Sequence, residues 1–347
     1  MRLIRGVNPA RIGSPLLFLL LFVSASTDAG VRAATLRAGI IGLDTSHSVH
    51  FTRILNDPED EDHVPGCRVV AAYPQGSRDI ESSVRRVPEY TQRVREMGVE
   101  IVPSIEALLE KVDVVLLETN DGRPHLEQAA PVLKAGKPVF IDKPVAGSLA
   151  DVIAIYELSK RYGTPVFSSS ALRYAAGVQE VVKGTVGKIL ACDAYGPGNL
   201  EPTHPDLFWY GIHAVETLYT VLGPDCVELS RMTTAGDDVV VGRWSDGRLG
   251  TFRGRRTGKR GFGGTVFGSD AIAPLGGFTG YPPLVARIVE FFETGVPPVD
   301  PATTLEIYVF MEAADESKRR GGVPVRLQDV LEKARIEARE TLVRRFP

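Results

Sequence analysis

The chain has 347 residues, with 40 Lys and Arg against 43 Asp and Glu, and 44% of its residues are hydrophobic. This composition provides material for about two globular domains and excludes disordered and collagen-like chains. A formal charge of −3 leaves no basic excess for general nucleic-acid binding, so small molecules are the expected partners.

Residues 1–33 read as a leader. Arg2, Arg5 and Arg11 give a positive start, residues 16–23 an unbroken apolar run, and small residues follow through Ala33 and Ala34. The run is far shorter than the roughly 20 residues a helix needs to span a bilayer. The other reading of this segment is a short buried helix or a retained amphipathic anchor. Neither a twin-arginine pair nor a cysteine after the apolar run is present, so the expectation is an ordinary export signal. Its removal, with four Arg and one Asp, would take the formal charge to −6.

From residue 36, strand-length apolar runs alternate with helical stretches. Residues 37–42 read as a strand and 47–55 as the helix it feeds. Residues 68–73 form a second strand, 82–97 a helix, 100–102 a short strand, and 104–109 a helix with Ser104 as N-cap. A buried strand follows at 112–117, then a helix at 124–135 closed by Gly136 and a strand at 138–141. A helix at 148–162 is closed by Gly163, and residues 166–169 give a last strand. Beyond about residue 170 the alternation changes. Strands at 239–244 and 248–253 meet through Ser245-Asp246-Gly247, and helices are expected at 211–222, 284–294, 303–320 and 327–344. The fold class is therefore α/β: a doubly wound parallel Rossmann-type sheet over residues 36–168, then an α+β domain with a mostly antiparallel sheet over 169–347.

The first strand runs into Gly42-Leu43-Asp44-Thr45-Ser46-His47, where a dinucleotide-binding fold carries G-x-G-x-x-G. Only the first glycine is present. Asp44 brings a negative charge to the place where bare backbone usually meets pyrophosphate, a repulsion of about 1 kcal/mol or more at contact distance. Thr45, Ser46 and His47 are hydrogen-bond donors there. The second strand lacks a terminal acid for a ribose and leads to Ser77 and Arg78, which suit a 2′-phosphate or a polar surface turn equally. Lys143 and Asp142 leave a buried strand at its carboxyl end, where open α/β sheets bind ligands, and Pro144 biases the lysine toward an extended conformation.

Further along, Glu201-Pro202-Thr203-His204-Pro205-Asp206 reads as a rigid polar loop in preference to a metal site. The basic run Arg243 to Arg260 reads as a solvated sheet face. Cys67, Cys192 and Cys226 are too few and too scattered for a disulfide scaffold or a structural zinc. No metal is expected.

Several of these segments together resemble the Gfo/Idh/MocA oxidoreductases, the relatives of glucose-fructose oxidoreductase and inositol dehydrogenase. Leu116-Leu117-Glu118-Thr119-Asn120 with His125, then Ala135-Gly136-Lys137-Pro138 and Asp142-Lys143-Pro144, is similar to the family's run ending in Glu-Lys-Pro. Leu172-Arg173-Tyr174 followed by residues 184–188 resembles the start of its second domain. Tyr210-Gly211-Ile212-His213-Ala214-Val215-Glu216 is similar to its Gly-x-His-x-x-Asp helix.

The resemblance implies an NAD- or NADP-dependent oxidoreductase acting on a hydroxyl or ketone of a sugar or cyclitol. Lys143 would contact the reacting hydroxyl, His213 would be the general acid/base and Glu216, one turn on, would orient it. Gly42, Asp44, Thr45, Ser46 and His47 would border the cofactor phosphates, Ser77 and Arg78 its ribose, and Thr119, Asn120, His125, Asp142 and Lys143 its nicotinamide end. Arg173, His204, Asp206 and Trp209 are the substrate-side candidates; Trp209 stands where many members carry an Asp. The resemblance also implies a homo-oligomer assembled through an open sheet face, and export favours a tightly retained cofactor. Alternatives are a redox-neutral NAD-dependent glycoside hydrolase or lyase, and a carbohydrate-binding protein that has lost the cofactor.

Overall fold

The computed structural model describes residues 35–347, so the leader expectation lies outside the described residues. The first half alternates strictly: β1 (Leu36–Ile41), α1 (Ser46–Asn56), β2 (Cys67–Tyr73), α2 (Glu81–Glu96), β3 (Glu100–Ile101), α3 (Ile105–Leu109), β4 (Val114–Leu117), α4 (His125–Lys134), β5 (Val139–Ile141), α5 (Leu149–Tyr162) and β6 (Val166–Phe167). All six strands are parallel in the order β3-β2-β1-β4-β5-β6. The order reverses between β1 and β4, which puts the ligand crevice over the carboxyl ends of β1, β4 and β5. β4 and β5, and β1 from Ala38 onward, are buried and apolar on both faces, as a sheet covered by helices on both sides requires. Local chemistry sets the boundaries: Ser104 and Ser148 accept from Ala107 N and Asp151 N as N-caps, and Gly163 ends α5 in the left-handed region.

After a single 3₁₀ turn at Ala171–Tyr174 come α6 (Ala176–Val182), β7 (Ile189–Pro197), α7 (Asp206–Trp209), α8 (Ile212–Leu222), β8 (Cys226–Thr233), β9 (Asp237–Trp244), β10 (Leu249–Arg255), β11 (Gly263–Gly268), β12 (Ile272–Pro274), α9 (Pro282–Thr294), α10 (Pro301–Arg319), β13 (Val325–Arg326) and α11 (Leu327–Arg345). The second sheet runs β12-β11-β7-β10-β9-β8-β13 and is antiparallel except where β7 pairs with β10. One face carries Cys192, Ala194, Val240, Trp244 and Phe252 into the core, and the other leaves Leu190, Tyr195, Val241 and Leu249 exposed.

Two packing features position the site. Helix α9 returns from the second half to the first sheet, where Leu284, Val285, Ile288 and Phe291 join a core with Ile40, Phe51, Phe140 and Phe167. The sequence reading put this stretch with the second domain, and its apolar face instead covers the sheet side that α1 shares. Tyr281, at the start of α9, thereby meets the His47 ring edge-on at 4.8 Å. On the other sheet face α4 and α5 pack into the core that also holds α8 and α10, and Tyr308 Oη accepts from Val145 N at 2.6 Å.

Candidate functional site

Gly42 ends β1 with φ +92°, and a Cβ there would lie 2.4 Å from the Thr119 backbone nitrogen. Only glycine lets the loops after β1 and β4 approach this closely. Asp44 is fully buried and does not point at the crevice. Its carboxylate accepts from Ser83 Oγ at 2.7 Å and from Asn120 N at 2.8 Å, and burial pushes its pKa up. The expected charge against phosphate is corrected: Asp44 ties the β1 loop to α2 and to the β4 loop. Thr45 caps α1 by accepting from His47 N at 3.4 Å. Ser46 and His47 then face the cavity at the start of that helix.

The turn after β2 is held from below. Ser77 N donates to Ser83 Oγ at 2.7 Å, and the Ser77 hydroxyl donates to Asp121. Asp121 also accepts from Arg123, which pairs with Asp79. Burial works against the Asp121 charge, yet the bonds from His204, Arg123 and Ser77 hold its pKa far below the usual carboxylate range. The hydroxyl of half-buried Ser77 is thus committed to Asp121, while Arg78 faces solvent.

Thr119 and His125 form the scaffold beneath the crevice. His125 is fully buried with Nε2 2.8 Å from Thr119 O and Nδ1 3.2 Å from Val145 O, so it joins the β4 and β5 loops, and burial lowers its pKa. Thr119 Oγ1 accepts from Gln128. Of this group Asn120 is the one lining the cavity. At the end of β5, Asp142 has no exposed surface, with Oδ2 2.9 Å from His47 Nδ1 and 3.5 Å from Lys143 Nζ. Burial pulls the Lys143 pKa down, but the Asp142 carboxylate beside it prevails and holds the ammonium above its ordinary value.

From the second half, α8 supplies His213, whose Nδ1 lies 2.7 Å from Ser170 Oγ. Desolvation, with Lys143 and His47 adding to it, pulls the imidazole down to about 3, so it is neutral near pH 7. Glu216 does not touch it. Its carboxylate accepts from Ser169 Oγ at 2.6 Å, Ser170 N at 2.7 Å and Arg173 Nε at 2.8 Å. The expectation of a direct Glu216–His213 contact is corrected to a relay in which Glu216 fixes the Ser170 backbone and Ser170 holds the ring. Arg173 is spent on Glu216 in the same cluster.

The polar loop divides. His204 is buried, bonds Asp121 Oδ1 and Gly122 N at 3.2 Å each, and packs its ring 4.8 Å from that of Trp209. Asp206 bonds Arg231 at 2.8 Å and Lys318 at 2.5 Å. That arginine is fully buried among Asp206, Asp238 and Asp315, so Asp206 belongs to the frame of the second domain. Trp209 reaches the cavity.

The cavity that results has a volume of about 390 Å³. Ser46, His47, Arg86, Asn120 and Lys143 line it from the first sheet side, and Ser170, Trp209, Tyr210 and His213 from the other. Sequence reasoning missed Ser170, Arg86, Tyr210 and Tyr281 as site residues. For Ser170 a signal existed, a run of three serines leaving the last strand toward the crevice. Arg86 and Tyr281 arrive from helices distant in sequence and carried none.

Fold and cavity together define a class: a doubly wound α/β domain whose crevice is closed by a second, mixed-sheet domain carrying a histidine helix. Residues 36–170 match the model named GFO_IDH_MocA, the oxidoreductase family with an NAD-binding Rossmann fold. An inositol 2-dehydrogenase of Pseudomonas fluorescens is 29% identical over 208 residues, covering 56% of this chain and 57% of that one. One of Salmonella paratyphi B is 27% identical over 130 residues, 37% of this chain and 34% of the relative. The chain thus spans between about a third and rather more than half the length of these curated relatives. The crystal structure of myo-inositol 2-dehydrogenase from Lactobacillus plantarum superposes with a TM-score of 0.69 at 19% identity, covering 84% of this chain and 99% of that one. The scyllo-inositol dehydrogenase of Lactobacillus casei, solved with NAD(H) and scyllo-inositol, gives 0.65 at 15% identity, covering 85% and 99%. These likenesses establish the fold.

Proposed function

We propose that this chain is an NAD- or NADP-dependent oxidoreductase acting on a hydroxyl or ketone of a sugar or cyclitol. The observation that carries the proposal is the convergence of Lys143 and His213, from opposite sides of the crevice, on one cavity bordered by the amino end of α1. The inositol dehydrogenase relatives support the substrate class.

The residues present fit a phosphate-bearing cofactor. The start of α1 offers backbone donors and the positive end of its dipole, Arg86 adds a cation, and the Asp44 carboxylate is turned inward. When bound, the nicotinamide supplies the hydride acceptor or donor. Lys143, held as an ammonium, is placed to stabilise the oxygen of a substrate hydroxyl as it loses its proton. His213, held neutral, takes that proton on Nε2 in the tautomer whose Nδ1–H donates to Ser170 Oγ. Trp209 and Tyr210 give the cavity the flat apolar surface that suits a sugar ring.

Two further parts belong to the same reading. The leader pattern of residues 1–33 supports export, and a cofactor retained through purification suits an exported enzyme. The exposed face with Leu190, Tyr195, Val241 and Leu249 supports assembly as a homo-oligomer.

The test is formation of reduced nicotinamide, followed by absorbance, with NAD+ or NADP+ and a panel of inositols and aldoses. Turnover is expected with at least one pair, and Lys143→Ala and His213→Ala should each lower kcat by about two to four orders of magnitude. Absence of both turnover and nucleotide-dependent stabilisation would overturn the reading. Fractionation of expressing cells addresses export, with retention in the cytoplasm as the contrary result.

A further inference from the structure

Three residues on three segments meet beneath the cavity floor. His47 stands in the first turn of α1, Glu118 at the end of β4 and Asp142 at the end of β5, and one ligand atom from each lies within 4.8 Å of the others. All three are buried, Glu118 and Asp142 with no exposed surface. Both Glu118 carboxylate oxygens and Asp142 Oδ1 are buried without any hydrogen-bond partner. Three such orphaned acceptors in one place are costly, because a buried carboxylate stripped of water needs a donor or a cation.

His47 Nδ1 and Asp142 Oδ2 are 2.9 Å apart, a hydrogen bond that an ion held by both atoms would replace. The His47 ring is held in place by stacking on Phe51 at 5.1 Å and by the edge contact with Tyr281. One imidazole nitrogen with two carboxylates suits a first-row transition ion such as Mn²⁺ or Zn²⁺ better than Mg²⁺ or Ca²⁺, which favour all-oxygen sets.

We propose that His47, Glu118 and Asp142 form a binding site for a divalent transition-metal ion, buried beneath Lys143 and pinning α1 to the ends of β4 and β5. The site stands on the geometry of these residues and is independent of the redox assignment. With His47 and Lys143 at the cavity floor, an ion there would also set the charge under the bound substrate.

The experiment uses the full chain, stripped with EDTA and titrated with MnCl₂ alone by paramagnetic resonance, then with ZnCl₂ and MgCl₂ alone while following thermal unfolding. One Mn²⁺ per chain is expected, with a rise in Tm for Mn²⁺ or Zn²⁺ that exceeds the rise with MgCl₂. Glu118→Gln should weaken Mn²⁺ binding by about 100-fold or more, and His47→Gln, at the rim of the site, gives a second variant should the first fail to fold. No stoichiometric Mn²⁺ or Zn²⁺ would overturn the proposal, as would binding left unchanged in either folded variant. Because the readout is metal occupancy, its failure and a failure of the dehydrogenase reading are separately visible.

Discussion

At the scale of single residues, the site depends on which form of each group the protein stabilises. His213 is the clearest case. Its ordinary pKa of 6.5 falls to about 3 in the folded chain, first through desolvation, then through Lys143 and His47, with Asp142 opposing them. Between those values the unfolded chain binds the extra proton, so the His213 contribution to stability is complete above about pH 6.5 and is lost as pH falls toward 3. Urea titrations from pH 5 to 8 should therefore show a steeper acid loss for the wild type than for His213→Gln; parallel curves would contradict this. Ser170 acts through His213 and is a positioning residue. Ser170→Ala should lower kcat about tenfold with little change in KM, since only the ring's orientation and tautomer lose support. An altered acid limb of the pH–rate profile, rescued by Ser170→Thr, would separate positioning from a merely structural role.

At the scale of elements, the loops after β1, β4 and β5 are held by contacts that leave almost no slack. Gly42→Ala forces a side chain to within 2.4 Å of the Thr119 nitrogen at a φ of +92°, which should cost at least about 2 kcal/mol, read by chemical denaturation. Glu216 anchors the strand exit at Ser169 and Ser170 to α8. Glu216→Gln leaves the Arg173 guanidinium, nearly enclosed, without its counter-charge, at a cost of about 3–5 kcal/mol on the same measurement. Sequence spacing places Glu216 on the His213 face of α8, one turn on, and the contact nevertheless fails. Helical periodicity fixes which side a residue faces but not which of several partners on that side it takes.

At the scale of the whole molecule, the two sheets are joined by a long return of chain. Helix α9 leaves the second half to cover the first sheet, and Tyr281 thereby reaches His47. The crevice is therefore closed by residues from both halves of the chain, so deleting the segment after residue 281 should abolish folding of the first half rather than release it as an independent domain. The exposed sheet face makes a further prediction: charges introduced by Tyr195→Glu with Val241→Glu should reduce the mass seen by light scattering if that face joins subunits. An unchanged mass would place the interface elsewhere.

The order of strands and helices in the first half was legible because the central strands β4 and β5 are apolar on both faces and Ser104, Ser148 and Gly163 mark the ends of α3 and α5, signals confined to a few neighbouring residues. Lys143 and His213 were legible for the same reason, standing in short runs whose pattern survives without the fold. What each polar side chain pairs with was not. Asp44 reads as a charge facing phosphate until Ser83 and the Asn120 amide are seen to hold it inward, and Asp206 reads as substrate-facing until Arg231 claims it. His47, Glu118 and Asp142 belong to separate strand and helix ends and carry no common spacing, so only the packing of three loops brings them together. Local sequence sets backbone geometry through short-range sterics and burial; the partner of a buried charge is chosen by whichever distant segment the tertiary fold delivers beside it.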